Sequence, residues 1–252
     1  MISLNWIMVL PAGMTAEQFD HWYLNVHTRY GKASQGIVRY VVNRALSAQP
    51  PQCHGAVFRV AQEYWNDWDA MESCWNSPSG HAVLGDGLAN IGLDPGTIPA
   101  IALTSDRCFE VSRPANFSTV ARGYRTRDDG TLVKFLAYGM SAKKDSLAAW
   151  YGERFAGLGC DARLREHIFG VAVGRTLKIG YLASLPGPAQ TAYDWVLELW
   201  FDDRQAADGF LASADFGAMW SALQATSNDT LAALFRGQEM LVVMDPVPHR
   251  DN

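Results

Sequence analysis

The 252-residue sequence has little of what usually fixes a protein's class at first reading. It holds four cysteines, Cys53, Cys74, Cys108 and Cys160, and no two of them form a CxxC pair. Such scattered thiols give neither a zinc motif nor a disulfide framework, and they fit a reducing compartment, although four cysteines leave bridges open. No apolar run approaches the roughly 18 to 20 residues of a membrane-spanning helix. The amino-terminal "MISLNWIMVLPAG" lacks the basic flank of a signal peptide and reads as a strand. Twenty-one Lys and Arg against 26 Asp and Glu leave a net charge of −5, with no basic stripe of the kind a nucleic acid needs. These absences predict a cytoplasmic protein that engages neither nucleic acid nor membrane.

Catalytic signatures are sparse as well. There is no GxGxxG or GxxxxGK[ST] loop for a nucleotide, no HxH or HExxH for a metal, and no GxSxG nucleophile elbow. No metal site is expected. What is present is apolar and aromatic: 48% hydrophobic residues, with nine Trp, nine Tyr and eleven Phe. That composition builds a large core. It equally suits a pocket for a flat or hydrophobic small molecule, and composition does not separate the two.

The chain says approximately the same thing twice. Residues 2–10 read as a strand, and a helix follows from Thr15, whose pairing with Gln18 has the form of a capping box. Strands are predicted at 37–46 and 55–65, a helix at 66–77 and a last strand at 100–112. The second half repeats the order with strands at 131–140, 169–182, 192–201 and 239–244, and helices at 146–158 and from about Asp203. Asp202-Asp203 read as turn or helix-start residues. A βαββαβ unit is ferredoxin-like, an antiparallel sheet with two helices on one face. The expected fold is therefore α+β, two ferredoxin-like repeats packed sheet to sheet as an intramolecular barrel. The expected boundaries are 1–113 for the first repeat, 114–130 for a polar linker and 131–248 for a second, degenerate repeat. The open barrel ends or the helices could still pair subunits into a homodimer.

The first helix carries two histidines in "FDHWYLNVHTRYG". Phe19, Trp22, Tyr23, Val26 and Tyr30 recur at the spacing of one helical face. At about 100° per residue His21 falls opposite that stripe and His27 on its edge. Matching Trp22-Tyr23 to Trp150-Tyr151 sets His27 against Phe155, and matching Tyr64-Trp65 to Leu199-Trp200 sets His81 against Phe216. A position filled by phenylalanine in one copy does not need an imidazole to fold, and a buried imidazole costs free energy unless its nitrogens find partners. A polar pocket in the first repeat would supply them; so would an ordinary core contact with a backbone carbonyl. His54, at a turn after "PPQC", reads as exposed, and His249 lies in the tail "PVPHRDN" without a functional signal.

Residues 14–46, "MTAEQFDHWYLNVHTRYGKASQGIVRYVVNRAL", are similar to the EthD-type branch of the dimeric α+β barrel superfamily. The matching positions are Trp22, Asn25, Val26, His27, Gly36, Ile37, Arg39 and Tyr40; the second repeat keeps the element pattern without the motif. The superfamily includes polyketide cyclases, muconolactone-type isomerases, decarboxylases of aromatic acids, cofactor-free monooxygenases and haem proteins of the chlorite dismutase type. The resemblance implies a pocket between sheet and helices, with His27 as acid/base and Tyr40 as an orienting or oxyanion-stabilising hydroxyl. His81 joins them from the repeat comparison, and Trp6, Trp22, Tyr23, Tyr30 and Arg39 are expected to bind the substrate. The expected activity is that of a lyase or isomerase without a cofactor, acting on a hydrophobic, aromatic or polyketide-like molecule. The alternatives are a cofactor-free oxidative enzyme, a haem protein with His167 as axial ligand, or a protein that binds an aromatic metabolite without transforming it.

Overall fold

Strand β1 (Ile2–Met8) lies at the centre of the first sheet, and a computed structural model places the remaining elements around it. The structure describes residues 2–53, 56–91, 100–110, 133–141, 170–176, 193, 195–201 and 203–242. After β1 come α1 (Ala16–Trp22), a π-helical segment (Tyr23–His27) and α2 (Thr28–Lys32) as one continuous rod. Strands β2 (Arg39–Ala45) and β3 (Arg59–Trp65), helices α3 (Trp68–Trp75) and α4 (Pro78–Ile91), and strand β4 (Ala100–Glu110) follow. Then come β5 (Val133–Ser141), β6 (Gly170–Thr176), β7 (Trp195–Phe201), α5 (Arg204–Leu211), α6 (Ala214–Ala225) and β8 (Ser227–Val242). The expected linker at 114–130, the helix at 146–158, and His54, His167 and His249 lie outside the described residues.

The strands run β1-β3-β2-β8-β5-β7-β6-β4 around a closed barrel. Each half contributes a ferredoxin-like order, β4-β1-β3-β2 and β8-β5-β7-β6, all antiparallel. The two halves join edge to edge, through β2 with β8 and β4 with β6, so that every strand has two hydrogen-bonded neighbours. β8 is much longer than the expected strand at 239–244, because it must pair with β5 along one stretch and β2 along another.

Strand alternation then sorts side chains into two compartments. Asn5, Asn43, Gln62, Lys134, Tyr138 and Glu198 enter the barrel. Gln62 is the hub: its amide donates to Asn5 Oδ1 (2.9 Å) and Glu198 Oε1 (3.0 Å), and its oxygen accepts from Asn43 (3.0 Å) and the Lys134 ammonium (3.2 Å). The alternate residues Leu4, Trp6, Met8, Tyr40, Val42, Ala61 and Trp65 face outward and are covered by the helices.

The caps at Thr15 and Asp203 form as the sequence predicts, and Asp67 adds a third. Thr15 and Gln18 make a reciprocal capping box, and Asp67 and Asp203 cap α3 and α5. The stretch "NSPSG" opens α4; Ser77 Oγ accepts from the Gly80 amide, as Ser213 Oγ accepts from the Phe216 amide. These equivalent caps align Phe216 with Gly80 and not with His81.

The π-helical segment changes which face of the first rod is buried. Thr28 donates to the Tyr23 carbonyl five residues back, which inserts one residue into the helical repeat. Beyond Tyr23 the inward positions are therefore His27, Thr28 and Gly31, while Val26 and Tyr30 turn outward to 38% and 39% exposure. Gly31 sits so close to the sheet that a Cβ there would lie 2.7 Å from Cε1 of the fully buried Tyr40. Gly31→Ala is expected to cost about 1–3 kcal/mol of stability through this overlap, read as a lower urea midpoint at unchanged m-value.

Candidate active site

Between the outer face of the first sheet and the helices lies a pocket lined by Trp6, Met8, Tyr23, His27, Glu63, Val83, Leu84, Gly87 and Ile91. It holds about 380 Å³ of unfilled space, part of it continuous with solvent. β1 and β3 form its floor, the π-helical segment one wall and α4 the other.

His27 enters from the π-helical wall. Its Nδ1 lies 2.7 Å from Asp86 Oδ2 on α4, with the two side chains 13% and 11% exposed. A carboxylate on Nδ1 fixes the tautomer in which that nitrogen carries the proton, and leaves Nε2 as the basic nitrogen. The ring packs at 4.9 Å from Trp22 and 5.0 Å from Tyr23. Burial lowers the His27 pKa against the opposing pull of Asp86, so the imidazole is neutral at pH 7. Asp86 itself is held by Asn90, whose amide donates 3.1 Å to Oδ1.

Glu63 rises from the floor. It is 3% exposed, its Oε2 accepts from Trp6 Nε1 at 3.1 Å, and desolvation raises its pKa to about 7. Tyr40 is its direct neighbour across the β2–β3 ladder. The Tyr40 and Tyr23 hydroxyls are 3.0 Å apart, and burial raises both pKa values, so both phenols stay protonated. Tyr23 presents this pair to the pocket, and Tyr40 supports it from behind. Arg59 stacks 4.6 Å from the Tyr23 ring centroid and is ion-paired with Asp20.

Of the residues singled out in the sequence, His27, Tyr23 and Trp6 line the pocket, while Trp22 and Tyr40 pack directly behind its walls. Three do not belong there. His81 is exposed on α4, because the caps place Gly80 in the inward position. Tyr30 is turned to solvent by the π-helical insertion. Arg39 points into the barrel, on the opposite face of β2 from Tyr40, with its guanidinium 5.1 Å from the Tyr64 ring centroid. His21 is exposed, as its helical angle predicts. Asp86 and Glu63 were missed. Asp86 lies on α4, between the helix expected at 66–77 and the strand expected at 100–112, whereas Glu63 has a signal: it shares the period-two phase of Ala61 and Trp65 in "RVAQEYW". Among the described residues no group of three or more His, Cys, Asp or Glu is placed to hold a metal, and no helix is long and apolar enough to cross a membrane.

Residues 11–91 match the EthD domain family. Over nearly its full length the chain also has the fold of solved dimeric α+β barrel proteins. An anthrone oxidase-like protein aligns with TM-score 0.59 at 11% identity, over 98% of this chain and 96% of that one. A candidate monooxygenase from Fusobacterium nucleatum aligns with TM-score 0.55 at 9% identity, over 94% and 91% of the two chains. Another from Lactobacillus acidophilus gives 0.54 at 8% identity, over 98% of each. No curated protein sequence matches the chain. At such identities the likeness establishes the fold, and the stretch that matches the EthD family model holds His27, Glu63 and Asp86.

The two pocket groups make opposite contributions to stability against pH. Glu63 keeps its proton in the folded state up to about pH 7 but loses it near 4.5 when unfolded. Its stabilisation is complete below pH 4.5 and is lost as pH rises through 7. The lowered His27 pKa works the other way, with stability lost as pH falls below the unfolded value of 6.5. In urea unfolding at pH 4.5 and 8, Glu63→Gln is expected to gain stability relative to wild type at the higher pH only.

Proposed function

We propose that this protein is an enzyme whose own residues abstract a proton from an enolisable, hydrophobic aromatic or polyketide-like molecule, with dioxygen as the oxidant of the resulting carbanion. The observation that carries this reading is the 2.7 Å His27–Asp86 pair in the wall of an apolar pocket. Neutral His27 takes the proton on Nε2, and Asp86 steadies the imidazolium that forms. The apolar walls, Met8, Val83, Leu84 and Ile91, keep water from the carbanion and suit a ring system.

The oxidative outcome draws support from the names of the three fold relatives; the proton abstraction rests on the site. For a ring methylene the step balances as follows. The carbanion passes its electron pair to dioxygen, one oxygen atom ends in a new carbonyl, and the other leaves with the two methylene hydrogens as water. Without dioxygen the same carbanion is reprotonated or expels a leaving group, which is the chemistry of an isomerase or lyase. The proposed partner is thus a small molecule.

The test uses anthrone as probe, with oxygen uptake and product absorbance followed together. One dioxygen per anthrone is expected, with kcat lowered about 10²–10⁴-fold in His27→Phe and at least tenfold in Asp86→Asn, each with wild-type thermal unfolding. Under nitrogen, solvent deuterium should still enter the probe. A Soret band in the purified protein, or wild-type turnover in His27→Phe, would overturn the proposal. Tight probe binding with neither oxygen uptake nor deuterium incorporation would make this a binding protein instead.

A further inference from the structure

We propose that Glu63 is a second catalytic residue of this pocket, a neutral carboxylic acid that donates its proton to a substrate carbonyl oxygen while His27 removes a proton from the adjacent carbon. This deepens the function proposed above and rests on His27 acting as base. It also narrows the ligand to a ketone with an acidic neighbouring C–H, or the keto form of a phenol.

The first support is that the fold does not need a carboxyl there. The two halves of the barrel can be compared strand by strand: Ile2 pairs with Trp65 where Val133 pairs with Phe201. On that register the counterpart of Glu63 is Leu199, and that of Trp6 is Ala137. Tyr40, paired with Glu63, corresponds to Val171, paired with Leu199. Leu199 and Ala137 are fully buried in an apolar cluster. One copy of the same architecture buries Leu199 and Ala137 in these positions, and the copy beside His27 has a carboxyl and an indole donor there.

The second support is the way Glu63 is held. A buried carboxylate costs several kcal/mol unless it is paired. The facing groups are the Trp6 indole on β1, the Tyr40 phenol on β2, the Tyr23 phenol and His27 on the first helical rod, Asp86 and the apolar residues of α4, and Cys74 on α3. On its own strand Arg59 is ion-paired with Asp20. Among the described residues Glu63 has one hydrogen-bond partner, Trp6. With so little compensation the neutral acid persists to about pH 7, while burial keeps His27 neutral as well. A neutral base and a neutral acid in one pocket are the protonation states that enolisation requires.

The step balances without an oxidant. The C–H proton passes to His27 Nε2, its bonding pair becomes the new C=C bond, and the carbonyl π pair takes the Glu63 proton. A neutral enol is left between an imidazolium and a carboxylate, and net charge is conserved.

The experiment measures anthrone binding under nitrogen by quenching of tryptophan fluorescence, together with deuterium entry into the probe, between pH 5 and 9. In wild type the Kd should be flat below pH 6.5 and rise about tenfold per pH unit above 7, as the acid is lost. Glu63→Gln keeps a donor but has no proton to give. It should bind with a flat Kd across the range and exchange deuterium about 10²–10⁴-fold more slowly. Glu63→Leu, which restores the residue of the other half, should fold and bind more weakly at every pH. His27→Phe should retain the wild-type rise in Kd above pH 7, which separates the two assignments: loss of exchange there with an unchanged binding profile concerns the base alone. Glu63→Gln exchanging within about twofold of wild type, or keeping the wild-type rise in Kd, would overturn the role of Glu63. Failure of anthrone to bind the wild type would overturn the ligand class.

Discussion

Closure of the barrel is the constraint on which the rest of this structure depends. A four-stranded ferredoxin-like sheet alone would leave two edges unpaired and one face bare. Pairing β2 with β8 and β4 with β6 removes all the edges and turns the bare faces inward. From then on, the period of two along each strand decides the environment of every side chain. Odd positions of β1 and even positions of β3 enter a polar interior organised by Gln62, while their neighbours face the helices. Glu63 and Gln62 are adjacent in the chain, yet one belongs to the barrel and the other to the pocket.

The helical layer adds a second decision. A plain α-helix from Ala16 to Lys32 would turn Val26 and Tyr30 toward the sheet. The extra residue accommodated at Tyr23–His27 turns His27 inward instead, within reach of Asp86 on α4. Such segments are rare and occur mostly as single-turn bulges inside α-helices. Here Phe19 stacks on Tyr23, Trp22 meets both rings edge-on, and the Tyr23 hydroxyl is hydrogen-bonded to that of Tyr40. The result is a small apolar chamber with a neutral imidazole on one side and a carboxyl titrating near neutrality on the other.

Much of this was legible in the chain. The duplicated βαββαβ order, the capping box at Thr15, the helix start at Asp203 and the exposed His21 all follow from local rules of spacing and capping, which act over a few residues and leave their marks in sequence. Three residues lie away from the pocket for geometric reasons. His81 was favoured because the repeats were aligned one residue out of step, and only the equivalent serine caps at Ser77 and Ser213 correct the register. Arg39 was assigned to the pocket beside Tyr40, although adjacent residues of a strand face opposite ways. Tyr30 was placed by a helical period that the π-helical insertion breaks.

The sequence by itself determined the kinds of element, their order, their duplication and the residue types available for proton transfer, because hydrophobic periodicity and capping are short-range properties. Tertiary structure alone decided which of those residues meet. Asp86 reaches His27 across 59 positions of chain, and Trp6 reaches Glu63 across 57. Neither pairing has a local signature, since each is produced by packing two distant elements on one sheet. The opposed shifts of His27 and Glu63 likewise belong to the folded state, where loss of water acts on whatever group the packing encloses.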